Sequence, residues 1–222
     1  MPLPCIEKTT GPNPRHAVIW LHGLGADGND FLPIVPELVD PRWAPLRFVF
    51  PHAPVRPITI NGGMAMRAWY DISGQEIAQR QDETGIRSSI VLLEELVARE
   101  VERGIACENI FLAGFSQGGA IVLAGGIRHA QRLGGIVALS TYLPMAEKTD
   151  AEASAANRAT PIFMAHGMLD PTISHALGEM SRDYLVQRGY AVDWHAYPMA
   201  HQVCMEEIAD LRQWLGSRIS GA

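Results

Sequence analysis

Short apolar runs alternate along the chain with longer stretches in which apolar residues recur at helical spacing. The runs 18–21, 48–50, 110–113, 136–139 and 162–165 are continuous and 192–197 alternates, and together they predict six buried strands. Between the second and third, Ile86, Ile90, Leu93, Val97 and Val101 step by four, three, four and four, one apolar stripe on a helix over 82–103 that Gly104 closes. Further helices are predicted over 118–129, over 174–187 with Leu177, Met180 and Tyr184 on one face, and over 206–215. Alternating strands and helices predict an α/β fold, a mostly parallel central sheet with helices on both faces, in which ligands bind outside the carboxyl ends of the strands.

Two stretches depart from this alternation. Residues 145–160 are small and polar and read as a surface excursion, the least structured part of the chain. The connection 51–81 is longer than compact α/β units need, and its Asn61-Gly62 pair between Ile58, Ile60 and Met64, Met66 predicts a small hairpin. Two readings of its apolar residues stand side by side: a flap that covers the core, or an acyl pocket lined by Met64, Met66, Trp69 and Tyr70.

Composition places the chain in the ordinary globular class, with 47% apolar residues in 222, and predicts one domain over 1–222. A formal charge of −6, without a run of five like charges, argues against nucleic acid and anionic membrane surfaces as partners. The amino terminus has no basic start followed by an apolar stretch, so a cytoplasmic location is expected. Cys5, Cys107 and Cys204 are odd in number and scattered, which suggests neither a disulfide framework nor a zinc site.

The chemistry is expected right after the strands. Gly114-Phe-Ser116-Gln-Gly118 matches the Gly-x-Ser-x-Gly elbow, although this composition gives roughly 0.09 such matches by chance, so the context decides. A strand precedes Ser116 and a small-residue helix follows it, which is the setting of the nucleophile in the α/β-hydrolase fold. A serine hydroxyl needs a base, and the base needs a carboxylate to hold its tautomer; in this fold both follow the serine in the chain. That order sets aside His16, His22, His52 and His129. Of the rest, His166 precedes the best acid, His175 starts a helix, and His195 lies inside a strand. His201 follows the last strand and is the expected base. Among the acids between Ser116 and His201, Asp170 alone follows a strand end directly, although an aspartate before Pro171 also suits a turn. The oxyanion donors are expected to be the backbone N–H of Gln117 and of Leu24, the latter in His22-Gly-Leu-Gly25 after the first strand.

Gly23-Leu-Gly25-Ala-Asp-Gly28 also fits the dinucleotide fingerprint Gly-x-Gly-x-x-Gly, but Pro33 and Pro36 spoil the long helix that fingerprint needs, and the next strand ends without a carboxylate. No metal-ligand spacing occurs, no cofactor is expected, and Cys204 reads as a small packed side chain rather than a participant.

Five segments, Leu21-His-Gly-Leu-Gly-Ala-Asp-Gly-Asn-Asp30, Arg67-Ala-Trp-Tyr-Asp71, Gly114-Phe-Ser-Gln-Gly-Gly-Ala120, His166-Gly-x-x-Asp170-Pro and Tyr197-x-x-x-His201, resemble the phospholipase/carboxylesterase family over nearly the whole chain. The resemblance implies a compact α/β-hydrolase without a large lid, with Ser116, Asp170 and His201 as the triad and Leu24 and Gln117 at the oxyanion. It implies hydrolysis of short to medium acyl esters, the alternative being an acyl-protein thioesterase or lysophospholipase acting on long chains; a hydrolase-like binding module without turnover is the remote alternative. Some members form homodimers, and the sequence does not decide that point. Met168-Leu169 and Thr172-Ile173 depart from the family pattern on either side of Asp170-Pro171.

Overall fold

The computed structural model describes residues 3–74 and 81–219. Its strands are β1 (Cys5–Thr9), β2 (His16–Leu21), β3 (Leu46–Pro51), β4 (Val55–Ile58), β5 (Met64–Arg67), β6 (Ile110–Phe115), β7 (Gly135–Leu139), β8 (Ile162–Gly167) and β9 (Val192–Tyr197). The helices are α1 (Val35–Leu38), α2 (Glu83–Glu102), α3 (Gln117–Arg128), α4 (Thr149–Glu152), α5 (His175–Gln187) and α6 (Met205–Ile219). Seven strands form one sheet in the order β1-β3-β2-β6-β7-β8-β9; all pairs are parallel except β1 with β3.

The continuous apolar strands have a simple reason. Each is covered on both faces, so alternate residues serve opposite cores. From β2, Ala17, Ile19 and Leu21 join Ile86, Leu93 and Val97 of α2, Ile121 of α3 and Leu185 of α5. Val18 and Trp20 instead join Val35 and Leu38 of α1 and Ile208, Leu211 and Trp214 of α6. The same division runs through Leu112 against Phe111, and Met164 against Phe163. The stripe predicted over 82–103 is α2, capped by the Asp82 carboxylate accepting the Gly85 N–H and closed by Gly104 at φ +90°.

The structure corrects several expectations. An extra strand, β1, adds antiparallel to the edge; only five residues long and polar in its second half, it carries little periodic signal. The last strand, β9, is a half-buried edge strand rather than a buried one, which is why it alone alternates. Residues 145–160 hold two 3-10 turns around α4, and Glu152 ties them to Arg87 of α2 and Arg128 of α3. The expected hairpin is β4–β5, with Gly62 and Gly63 both at positive φ in its turn. Within the connection 51–81, residues 75–80 lie outside the described residues. Among the described residues no helix is long and apolar enough to cross a membrane, and no inserted subdomain covers the carboxyl edge of the sheet.

In α6, Glu207 is fully buried, and burial outweighs the help its carboxyl gets from the Cys204 backbone N–H. Burial pushes its carboxyl up to about 8 from the ordinary 4.5. Protonation therefore favours the folded state: the stabilisation is whole below about pH 4.5 and is lost as pH rises through about 8. Glu207→Gln, which keeps the shape without the charge, should leave the melting temperature near its parent value at about pH 5 and raise it by several degrees at about pH 8.5. Thermal melts of the two proteins that stay parallel across this range would contradict the assignment.

Candidate active site

The carboxyl ends of β2, β6, β8 and β9 bring together the segments singled out above. At the end of β6 the chain turns directly into α3, and Ser116 sits in the turn at φ +54°, ψ −119°. The flanking glycines are there for space. A Cβ on Gly114 would stand 2.5 Å from the Gly118 carbonyl, and one on Gly118 would stand 2.4 Å from the Leu21 carbonyl oxygen. The turn is pinned by three hydrogen bonds: Ser116 N–H to Leu139 O at 2.8 Å, Ala120 N–H to Ser116 O at 3.1 Å, and Thr141 Oγ1–H to Ser116 O at 2.7 Å.

Ser116 Oγ lies 2.8 Å from Nε2 of His201, and Nδ1 of His201 lies 2.7 Å from Oδ2 of Asp170. A carboxylate only accepts, so Nδ1 carries the proton and Nε2 is free to accept from the serine hydroxyl. The other oxygen of Asp170 accepts the N–H groups of Thr172 and Ile173 at 2.8 and 2.9 Å. Those two residues hold Asp170 through their backbones, while the Ile173 side chain packs into the core at 4% exposed. The acid and histidine loops are joined by Met168 N–H to Tyr197 O and Leu169 N–H to Met199 O. They touch so closely that a Cβ on Gly167 would stand 2.3 Å from Ala200 O.

The loop after β2 packs on the same serine, for a Cβ on Gly23 would lie 3.5 Å from that of Ser116. Among the described residues, the N–H groups of Leu24 in this loop and of Gln117 at the start of α3 have no protein acceptor. Met66 also approaches: its Sδ lies 3.8 Å from the Cβ position of Gly25. Met64 is 64% exposed at the hairpin. Trp69 and Tyr70 are placed otherwise. At 1% and 2% exposed they belong to the core, with the Trp69 indole N–H donating to His22 O and the Tyr70 hydroxyl 3.1 Å from that of Tyr142. They back the site and do not line an open acyl pocket, because their polar atoms are turned inward to buried partners.

The other histidines have separate surroundings. His22 donates from Nδ1 to Gly23 O and accepts the Ala53 N–H at Nε2, and burial holds it below the ordinary imidazole value. His195 faces Asp193 and Asp210 on the outer edge of the sheet, and His175 faces Glu179 on α5. His166, a weaker candidate for the base because it precedes Asp170, is buried 3.4 Å from Asp170 Oδ2 and donates to Ile173 O. Burial raises the Cys204 thiol, which makes it a poor nucleophile. Among the described residues no three His, Cys, Asp or Glu side chains are grouped to hold a metal ion.

The family model for phospholipase/carboxylesterase matches residues 4–219. The chain belongs to the phospholipase/carboxylesterase family. It is 39% identical over 216 residues to an acyl-protein thioesterase 1 of Neurospora crassa, covering 92% of this chain and 88% of the relative. A Yarrowia lipolytica protein of the same name is 37% identical, with 98% of each chain covered. Among solved structures, that of Arabidopsis thaliana SOBER1 superposes with a TM-score of 0.87 at 28% identity, covering 92% of this chain and 99% of that one. Membership makes the protein a carboxylic ester hydrolase of the α/β-hydrolase fold.

The close approach at Gly118 sets a test of the elbow. Gly118→Ala forces β-carbon against two backbone carbonyls, so unfolding in urea should show a loss of about 1–3 kcal/mol, and ester hydrolysis should fall at least about tenfold as the turn shifts. A variant as stable and as active as the parent would show that the turn has room.

Proposed function

We propose that the chain, working as one α/β-hydrolase domain, hydrolyses long-chain acyl thioesters and esters, with Ser116 as nucleophile, His201 as general base and Asp170 as the carboxylate that holds the histidine. The observation that carries the chemistry is the unbroken line Ser116 Oγ–His201 Nε2 and His201 Nδ1–Asp170 Oδ2, at 2.8 and 2.7 Å, beside two unpaired backbone N–H groups. His201 Nε2 takes the serine proton as Oγ attacks the acyl carbon, and the carbonyl electron pair moves onto oxygen. The N–H groups of Leu24 and Gln117 receive that oxyanion. Collapse expels the thiolate or alkoxide, which takes the proton from His201, and leaves an acyl-enzyme. Water, deprotonated by His201, attacks it by the same route and frees the acid.

The preference for long chains reverses the order of the readings drawn from sequence, which put short to medium esters first. It is supported by the relatives named acyl-protein thioesterase and by the apolar rim next to the triad. Met168 and Leu169, directly before Asp170, are 49% and 70% exposed, and Met64 and Met66 stand on the hairpin beside the Leu24 loop. A long acyl chain gives such surface something to cover.

Two measurements test the two halves of this reading. Ser116→Ala should lower turnover by roughly 10⁴- to 10⁶-fold and abolish labelling by a fluorophosphonate, the scale being that of serine proteases; retained activity would sink the nucleophile assignment. In a series of esters and thioesters from about two to about sixteen carbons, each buried methylene contributes about 0.8 kcal/mol, so kcat/KM should climb up to roughly fourfold per carbon toward long thioesters. A maximum at the shortest esters would overturn the long-chain preference and leave the triad standing.

A further inference from the structure

The two N–H groups assigned to the oxyanion are 93 residues apart in sequence, on a loop after β2 and at the first turn of α3, and no hydrogen bond joins the two segments directly among those of the described residues. What joins them is the strap Arg67-Ala-Trp-Tyr70. Its elbow end is held by the Gln117 side chain, whose Oε1 accepts the Trp69 N–H at 2.8 Å and whose Nε2 donates to Tyr70 O at 2.7 Å. Its loop end is held by the Trp69 indole, donating to His22 O at 2.9 Å, and by Arg67 O, accepting the Gly25 N–H at 2.9 Å. These last two bonds fall on either side of Leu24. The strap is itself anchored: Ser89 Oγ–H of α2 donates to Trp69 O, the Arg67 guanidinium donates to Ala53 O, and the Ala68 N–H donates to Pro54 O.

From this we infer that the Gln117 side chain and the Trp69 indole are positioning residues that set the spacing of the two oxyanion donors. Gln117 thus has two separate functions, the backbone N–H toward the oxyanion and the side-chain amide toward the strap. The strap explains why Trp69 and Tyr70 are buried beside the site instead of lining it. It also gives the Arg67-Ala-Trp-Tyr segment a mechanical reason. Donors aimed at a developing charge act only at the right distance, and a displacement of about 1 Å costs on the order of 10²-fold. The inference rests on the acyl-transfer reading above.

The experiment uses Gln117→Met, which keeps the side-chain length and the backbone N–H and removes both side-chain bonds, and Trp69→Phe, which removes the indole donor. The readouts are kcat, KM, the acid limb of the pH profile, and inhibition by a long-chain trifluoromethyl ketone. Ser116 Oγ adds to that ketone's carbonyl carbon, the serine proton passes to His201, and the carbonyl electron pair becomes an oxyanion in the same place as in the reaction. Each variant should lose about 10- to 100-fold in kcat and the same factor in affinity for the ketone, with KM within about threefold and the acid limb unmoved, because ground-state binding and the His201–Asp170 pair are untouched. Because both bonds act through one strap, the double variant should be no more than about threefold worse than the poorer single one. Variants within about twofold of the parent in kcat, a loss of kcat without loss of ketone affinity, or losses that multiply in the double variant would each overturn the inference. Should Gln117→Met fail to fold, Gln117→Glu keeps the acceptor for Trp69 N–H, loses the donor to Tyr70 O and is read in the same way. A parent protein indifferent to trifluoromethyl ketones of every chain length, or a Ser116→Ala variant that still turns over, would instead bring down the acyl-transfer reading beneath it.

Discussion

The positive φ of Ser116 is the constraint on which the site depends. A non-glycine residue in that conformation costs on the order of 1–3 kcal/mol and persists only where its surroundings over-determine it. Here they do so from three sides. The Leu139 carbonyl of β7 holds its N–H, the Thr141 hydroxyl and the Ala120 N–H hold its carbonyl, and the Leu21 carbonyl of β2 lies hard against Gly118 two residues on. The turn sets Ser116 at the N-cap of α3, where the opening N–H groups of the helix have no partner within it. One backbone turn thus places the Ser116 hydroxyl beside the unpaired N–H of Gln117.

The two-sided core supplies the force that holds this distortion. Strands β2, β6, β7 and β8 are buried on both faces, so none can shift along its axis without disturbing both clusters at once. Their carboxyl ends are in fixed register, with Leu21 opposite Gly114 and Phe115 opposite Leu139. Loops leaving those ends inherit the register. This is how Asp170 after β8 and His201 after β9 meet, with Gly167 letting the two loops pass in contact. Burial also sorts the histidines. His22 and His166 are buried and held below their ordinary value, each spending its ring on neighbouring backbone, while His201 remains partly open beside the serine.

Much of this was legible in the residues. Period and run length gave the strands and α2 to within a few residues, because two-sided burial writes continuous apolar runs and one-sided burial writes a stripe. Segments whose structure comes from a neighbour were harder to read. Strand β1 is made by the exposed edge of β3 and has no pattern of its own. The turns of 145–160 are held by Glu152 reaching Arg87 and Arg128, partners distant in sequence. Trp69 and Tyr70 looked like pocket residues because apolar side chains in a long loop are ambiguous between core and cleft, and only their buried partners separate the two.

The sequence by itself determined the fold class and the family, since each depends on local pattern or on which residues can follow a strand end. The tertiary structure decided distances and couplings: that His201 and Asp170 stand 2.7 Å apart, that His166 backs the acid, and that the Gln117 side chain reaches the strap at Trp69 and Tyr70. The reason is physical. Apolar periodicity records how much water each residue avoids, a property of one position, whereas a hydrogen bond between residues 48 apart exists only once the packed sheet has brought both partners to the same place.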